Sequence, residues 1–124
     1  MHRRWNTDSA DRAGLKKPVD RNPVTHYVCV RADLPRGVQA AQIVHAAGES
    51  VDRRVEEGTF AVVLTVPDER ALVKLADELR RADVAFTAIF EPDPPHDNAM
   101  MAIGLAPARK ESLKRHLSAL PLLK

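Results

Sequence analysis

The chain has 124 residues, 44% hydrophobic and 29% charged, which are ordinary globular values at a length that holds one core rather than two. Only 4% of the residues are aromatic, and that argues against a base-stacking platform for single-stranded nucleic acid. The formal charge of +2 is unevenly placed: residues 1 to 25 carry six Lys or Arg against three Asp, and the remainder thirteen against fourteen.

The opening stretch has no sustained apolar period and contains Pro18 and Pro23. It reads as a flexible basic leader over residues 1–24, either a solvated tail or an arm for phosphates. A single domain is expected over residues 25–124. Its first strand, "THYVCVRAD", sets Tyr27, Cys29 and Arg31 against Val28, Val30 and Ala32, which predicts one well-buried face. Cys29 is the only cysteine, so no disulfide can close within the chain and a reducing compartment fits. No apolar run approaches the ~20 residues of a membrane span. The cytoplasm is the expected compartment.

After "LPRG", apolar residues at Ala40, Val44, Ala47, Val51 and Val55 predict a helix from about Val38 to Glu57, with that row facing inward. "TFAVVLTV", Thr59 to Val66, is apolar throughout and predicts a central strand. Asp68 is an N-cap for a second helix to about Arg81, with Leu72, Leu75, Ala76 and Leu79 inside. Val84 to Phe90 reads as a third strand, "EPDPPHDN" as a loop and "AMMAIG" as a fourth strand. Pro107 opens a last helix whose inner face is Leu113 and Leu117. The order predicts an α/β domain, a mixed four-stranded sheet with helices packed on it.

Within the first helix, Gln42, His45 and Glu49 share a surface at spacings of three and four, at the edge of the apolar row. His45 is there either as a partly buried ring held by Glu49 or as a proton-transfer group. Gly37 opens the helix, whose unpaired N–H groups can receive a phosphate or an oxyanion, with Arg36 as the adjacent cation. Glu91, Asp93, His96 and Asp97 in the proline-rich loop lack the spacing of a zinc or calcium motif, so no metal is expected and a solvated polar loop accounts for them. Cys29 lies between valines, the place of an inert core thiol.

"VRADL", "GVQAAQIVHAA", "VLTVPDERALVKLADEL" and "AIGLAP" resemble, in order and spacing, the type-two peptidyl-tRNA hydrolases from about Tyr27 to Lys124. The resemblance implies water-driven cleavage of the ester joining a peptide to the terminal ribose of tRNA. It implies no metal or other cofactor, a mixed four-stranded sheet flanked by helices on both faces, and a homodimer. Asp33, Gln42 and His45 fall on the family's aspartate, glutamine and histidine. Glu91 stands where the family has aspartate, Val38 where it has lysine, Val44 where it has serine and Ala99 where it has threonine. The expected catalytic set is His45 as general base, Glu91 as its carboxylate partner, and Asp33. Arg36, Gly37 and Gln42 are the expected binding residues for peptidyl-tRNA. The alternative is a catalytically impaired module that binds tRNA or an acylated ligand, or a structural homodimer on the same fold.

Overall fold

β-Branched residues dominate Val24–Arg31 and form β1, the strand around which the domain is organised. The structure is a computed structural model and describes residues 20–124; residues 1–19 of the expected leader lie outside them. In chain order, β1 is followed by α1 (Arg36–Glu49), β2 (Phe60–Val66), α2 (Glu69–Arg81), β3 (Phe86–Glu91), β4 (Ala99–Leu105), β5 (Ala108–Arg109) and α3 (Lys110–Leu117). The sheet is mixed and has five strands, not the expected four: β2-β1-β4-β3, with β5 pairing the start of β1. β1 runs parallel to β2 in the register Cys29↔Leu64 and antiparallel to β4 in the register Cys29↔Ile103. β3 is antiparallel to β4, so β1, β2 and β3 all end on the same side.

Both faces of β1 are covered, where one was expected. Tyr27 and Cys29 join Leu64, Val66, Leu72, Leu79, Ile103 and Leu105 beneath α2 and α3, while Val28 and Val30 join Leu34, Ala46, Ile89 and Met101 beneath α1. Burial pushes the Cys29 thiol up to about 12, so it stays protonated and unreactive in the fold.

The β2 strand is at the edge of the sheet rather than its centre. Its continuous apolar character has another cause: the C-terminal segment covers its free edge, with Thr65 N–H donating to Pro121 O (2.8 Å) and Leu123 N–H to Val63 O (3.0 Å). Covering an edge satisfies backbone groups much as a neighbouring strand does.

The α1 helix stops at Glu49 and does not reach Glu57. Ser50 Oγ donates to Ala46 O (2.7 Å) and receives the His26 ring nitrogen (2.7 Å), tying the helix end to β1. Val51 and Val55 therefore belong to a loop. The expected inner row is also displaced, because the buried residues are Gln39, Gln42 and Ala46, and Val44 is 72% exposed. By contrast α2 follows its sequence. Asp68 accepts from Ala71 N–H (2.9 Å), Glu69 occupies the first turn and Arg80 and Arg81 the last, as the helix dipole favours.

The last helix begins at Lys110, not Pro107, because Ala108 and Arg109 first pair with Thr25 and Val24. Residues 20–23, at the end of the expected leader, are tied to the same region: Asn22 Oδ1 accepts from Glu111 N–H (2.9 Å) and Pro23 O from Lys110 N–H (3.0 Å).

Candidate active site

The parallel strands β1 and β3 end at Arg31 and Glu91. Side chains at such carboxyl ends face the crevice where α/β sheets collect ligands. Across it runs the first half of α1, and above it the β3–β4 loop. Together they enclose a cleft of about 380 Å3 whose lining includes Gly37, Val38, Gln42, Glu91, Asp93 and His96.

Gln42 is 5% exposed and donates through Nε2 to Glu91 Oε1 at 3.2 Å. A buried amide requires such a partner, which explains why a polar residue sits on the inner face of α1. Glu91 Oε2 accepts from Asp93 N–H at 3.3 Å, so both carboxylate oxygens are held. Gln39, one turn earlier, donates to Arg31 O at 2.9 Å. The two glutamines thus fasten α1 to the ends of β1 and β3.

Asp33 is half of a bidentate ion pair. Arg31 Nε and Nη2 meet its two oxygens at 2.9 and 3.0 Å, and Arg31 Nη1 also donates to Met100 O at 3.2 Å. The hydrogen-bonded guanidinium holds the Asp33 carboxyl below the usual range, with a smaller contribution from the charge of His96.

Arg36 and Gly37 begin α1, whose N-cap is Pro35 with no capping side chain and no acid in the first turn. Gln39 N–H already bonds Pro35 O at 2.9 Å, so the N–H groups free of the helix ladder are those before it. Gly37 and Val38 among these line the cleft.

His45 lies one turn beyond Ala41, which also lines the cleft. Its side chain is 62% exposed and its Nδ1 is 3.9 Å from Glu49 Oε2, so the ring is neither partly buried nor tightly held. The structure therefore joins Gln42 to Glu91 and leaves His45 on the outer surface of α1 beside Glu49. Among the described residues, no three His, Cys, Asp or Glu side chains converge as a metal site.

Two participants were not singled out on sequence. Arg31 reads there as one more alternating strand residue, and only its spacing of two from Asp33 at the strand end hints at a pair. His96 reads as part of a polar loop, although that loop is internally bonded: His96 N–H donates to Asp93 O (3.0 Å), Ala99 N–H to His96 O (2.9 Å) and Asn98 N–H to Glu91 O (2.7 Å). Asp97 and Asn98 turn the chain with positive φ of 49° and 70°, a conformation their residue types tolerate best after glycine.

Residues 24–123 match the family model described as Peptidyl-tRNA hydrolase PTH2. No curated protein matches the chain. The match spans nearly all of the described domain, and the chain belongs to this family. No helix among the described residues is long and apolar enough to cross a membrane.

Proposed function

We propose that this member of the Peptidyl-tRNA hydrolase PTH2 family hydrolyses the ester between a peptidyl group and the 3′ ribose of tRNA, in the cleft between α1 and the β3–β4 loop. The observation that carries the reading is the Gln42–Glu91 pair, a buried amide and a held carboxylate facing a space open to substrate. Ester hydrolysis needs an oriented water, an acceptor for its proton and donors for the oxyanion.

Of the three catalytic residues expected from sequence, Asp33 is engaged by Arg31 and held in its charged form. His45 faces outward beside Glu49. Glu91 is the acceptor that lines the cleft. In this reading Gln42 and Glu91 hold the water and Glu91 takes its proton, while Gly37 and Val38 N–H groups receive the oxyanion at the positive end of α1. Arg36 contacts tRNA phosphate. His45, on the outer surface of α1 beyond Ala41, meets the acceptor end of the tRNA rather than the reacting ester. Asp33 acts through Arg31, fixing the turn from which α1 starts. The protein works in the cytoplasm, in translation, as a homodimer.

A second reading is supported by Val38, which lines the cleft where the family resemblance calls for lysine: a module that binds tRNA without turnover. Incubation of purified protein with an N-acetylated aminoacyl-tRNA at neutral pH separates the two. Release of free tRNA above the blank is expected. Binding without release favours the module, and neither binding nor release rules out both. Sedimentation at micromolar concentration tests the dimer.

A further inference from the structure

We propose that His96, in the β3–β4 loop, hands a proton to the ribose 3′-oxygen as the ester bond breaks, an inference that rests on the hydrolase reading above. Three lining side chains of the cleft ionise: Glu91, Asp93 and His96. At neutral pH carboxylates are acceptors, whereas imidazole is the side chain whose charge change ordinarily falls nearest neutrality. A leaving alkoxide requires a donor, and His96 is the lining residue of a type that can both carry and release a proton under those conditions.

Placement agrees with chemistry. His96 is half-buried although its neighbours Pro95 and Asp97 are exposed, and its backbone is held on both sides, by Asp93 O and by Ala99 N–H. The charged groups on its own loop are Glu91, Asp93 and Asp97, of which Glu91 and Asp93 line the cleft with it; Arg36 begins α1, whose Gly37 and Val38 line the same cleft, and the Arg31–Asp33 pair stands at the end of β1 and in the turn after it. His96 lines the same cleft as Glu91 and Gln42.

The step balances without an added reagent. Water gives one proton to Glu91 and its hydroxide forms the new bond to the acyl carbon. The bond from that carbon to the ribose oxygen then breaks, and the oxygen takes the proton of the His96 imidazolium. The peptide leaves as a carboxylic acid and ionises. Glu91 loses its proton to solvent and His96 regains one, for a net release of one proton with the peptide carboxylate.

The test is kcat/KM on an N-acetylated aminoacyl-tRNA across about pH 5 to 9, with the full chain and its His96→Gln and His96→Asn variants, alongside tRNA affinity by filter binding. Each variant is expected to lose about 10²-fold in rate, to lose the alkaline limb of the profile while keeping the acid limb, and to bind tRNA as the parent does. Activity within about threefold of the parent, or a loss that leaves the alkaline limb in place, overturns the assignment. A parent protein with no turnover overturns the hydrolase reading and this step with it; an active parent with unaffected variants overturns this step alone.

Discussion

On one side of the sheet α2 buries Leu72, Leu75, Ala76 and Leu79, and on the other α1 buries Gln39, Gln42 and Ala46 while Val44 projects outward. The α2 helix obtains its stability from apolar area removed from water, α1 in good part from hydrogen bonds to strand ends. Apolar packing tolerates many side chains of the right volume, but the amides of α1 fix particular atoms: Arg31 O through Gln39 and the Glu91 carboxylate through Gln42. A helix held in that way is suited to positioning a reactive group, and α1 borders the cleft.

By this contrast, the largest effect on stability belongs to α2. Leu72→Ala, in a fully buried position, is expected to cost about 2–5 kcal/mol, seen in urea titration as a lower midpoint with an unchanged slope. On the α1 side the sensitive point is a glycine. A Cβ at Gly104 would run into Ala46 O and lie 2.6 Å from Ser50 Oγ, so Gly104→Ala must push α1 off the sheet. We expect a loss of about 1–3 kcal/mol, as for overpacking elsewhere, together with weaker catalysis, whereas Leu72→Ala should leave the rate of the folded fraction unchanged.

A smaller effect depends on pH. Burial holds the His26 ring below its ordinary value of 6.5, so around and below that pH the unfolded chain binds a proton more readily than the folded one. The contribution is complete above about 6.5 and disappears as pH falls through the lowered folded value. His26→Asn should flatten the stability loss between neutral and mildly acidic pH, and an unchanged slope in thermal melts would contradict this. The smallest effect is expected at Val44. Its side chain is 72% exposed, so Val44→Ala should change stability by less than about 0.5 kcal/mol; a loss above about 1 kcal/mol would mean that this face is covered in solution.

The same contrast explains what could be read from the sequence. The leucine spacing and Asp68 cap of α2 are local signals, and the helix forms between those bounds with those residues inside. In α1 the visible apolar row, Ala40 and Val44, misleads because the partners that decide its orientation are distant: Arg31 O on β1 and Glu91 at the end of β3. Neither is encoded in helical periodicity. Asp33, Gln42 and Glu91 were expected from the family resemblance, but the joining of Gln42 to Glu91 depends on β3 lying parallel to β1 across the intervening β4. His96 was hidden for a related reason. Three prolines within Glu91 to Asn98 mark a loop, and nothing local indicates that it is internally bonded and lines a cleft with α1. The apolar run of β2 likewise could not report that the tail at Pro121–Leu123 would cover its edge.

The central claim is that the reaction runs at the Gln42–Glu91 pair. Its most direct test is the rate of tRNA release from an N-acetylated aminoacyl-tRNA at neutral pH by Glu91→Gln and His45→Gln, measured side by side with the unaltered protein. We predict that Glu91→Gln loses about 10²- to 10⁴-fold in kcat and that His45→Gln stays within about tenfold. A Glu91→Gln protein as active as its parent, or a His45→Gln protein with the larger loss, would contradict the account.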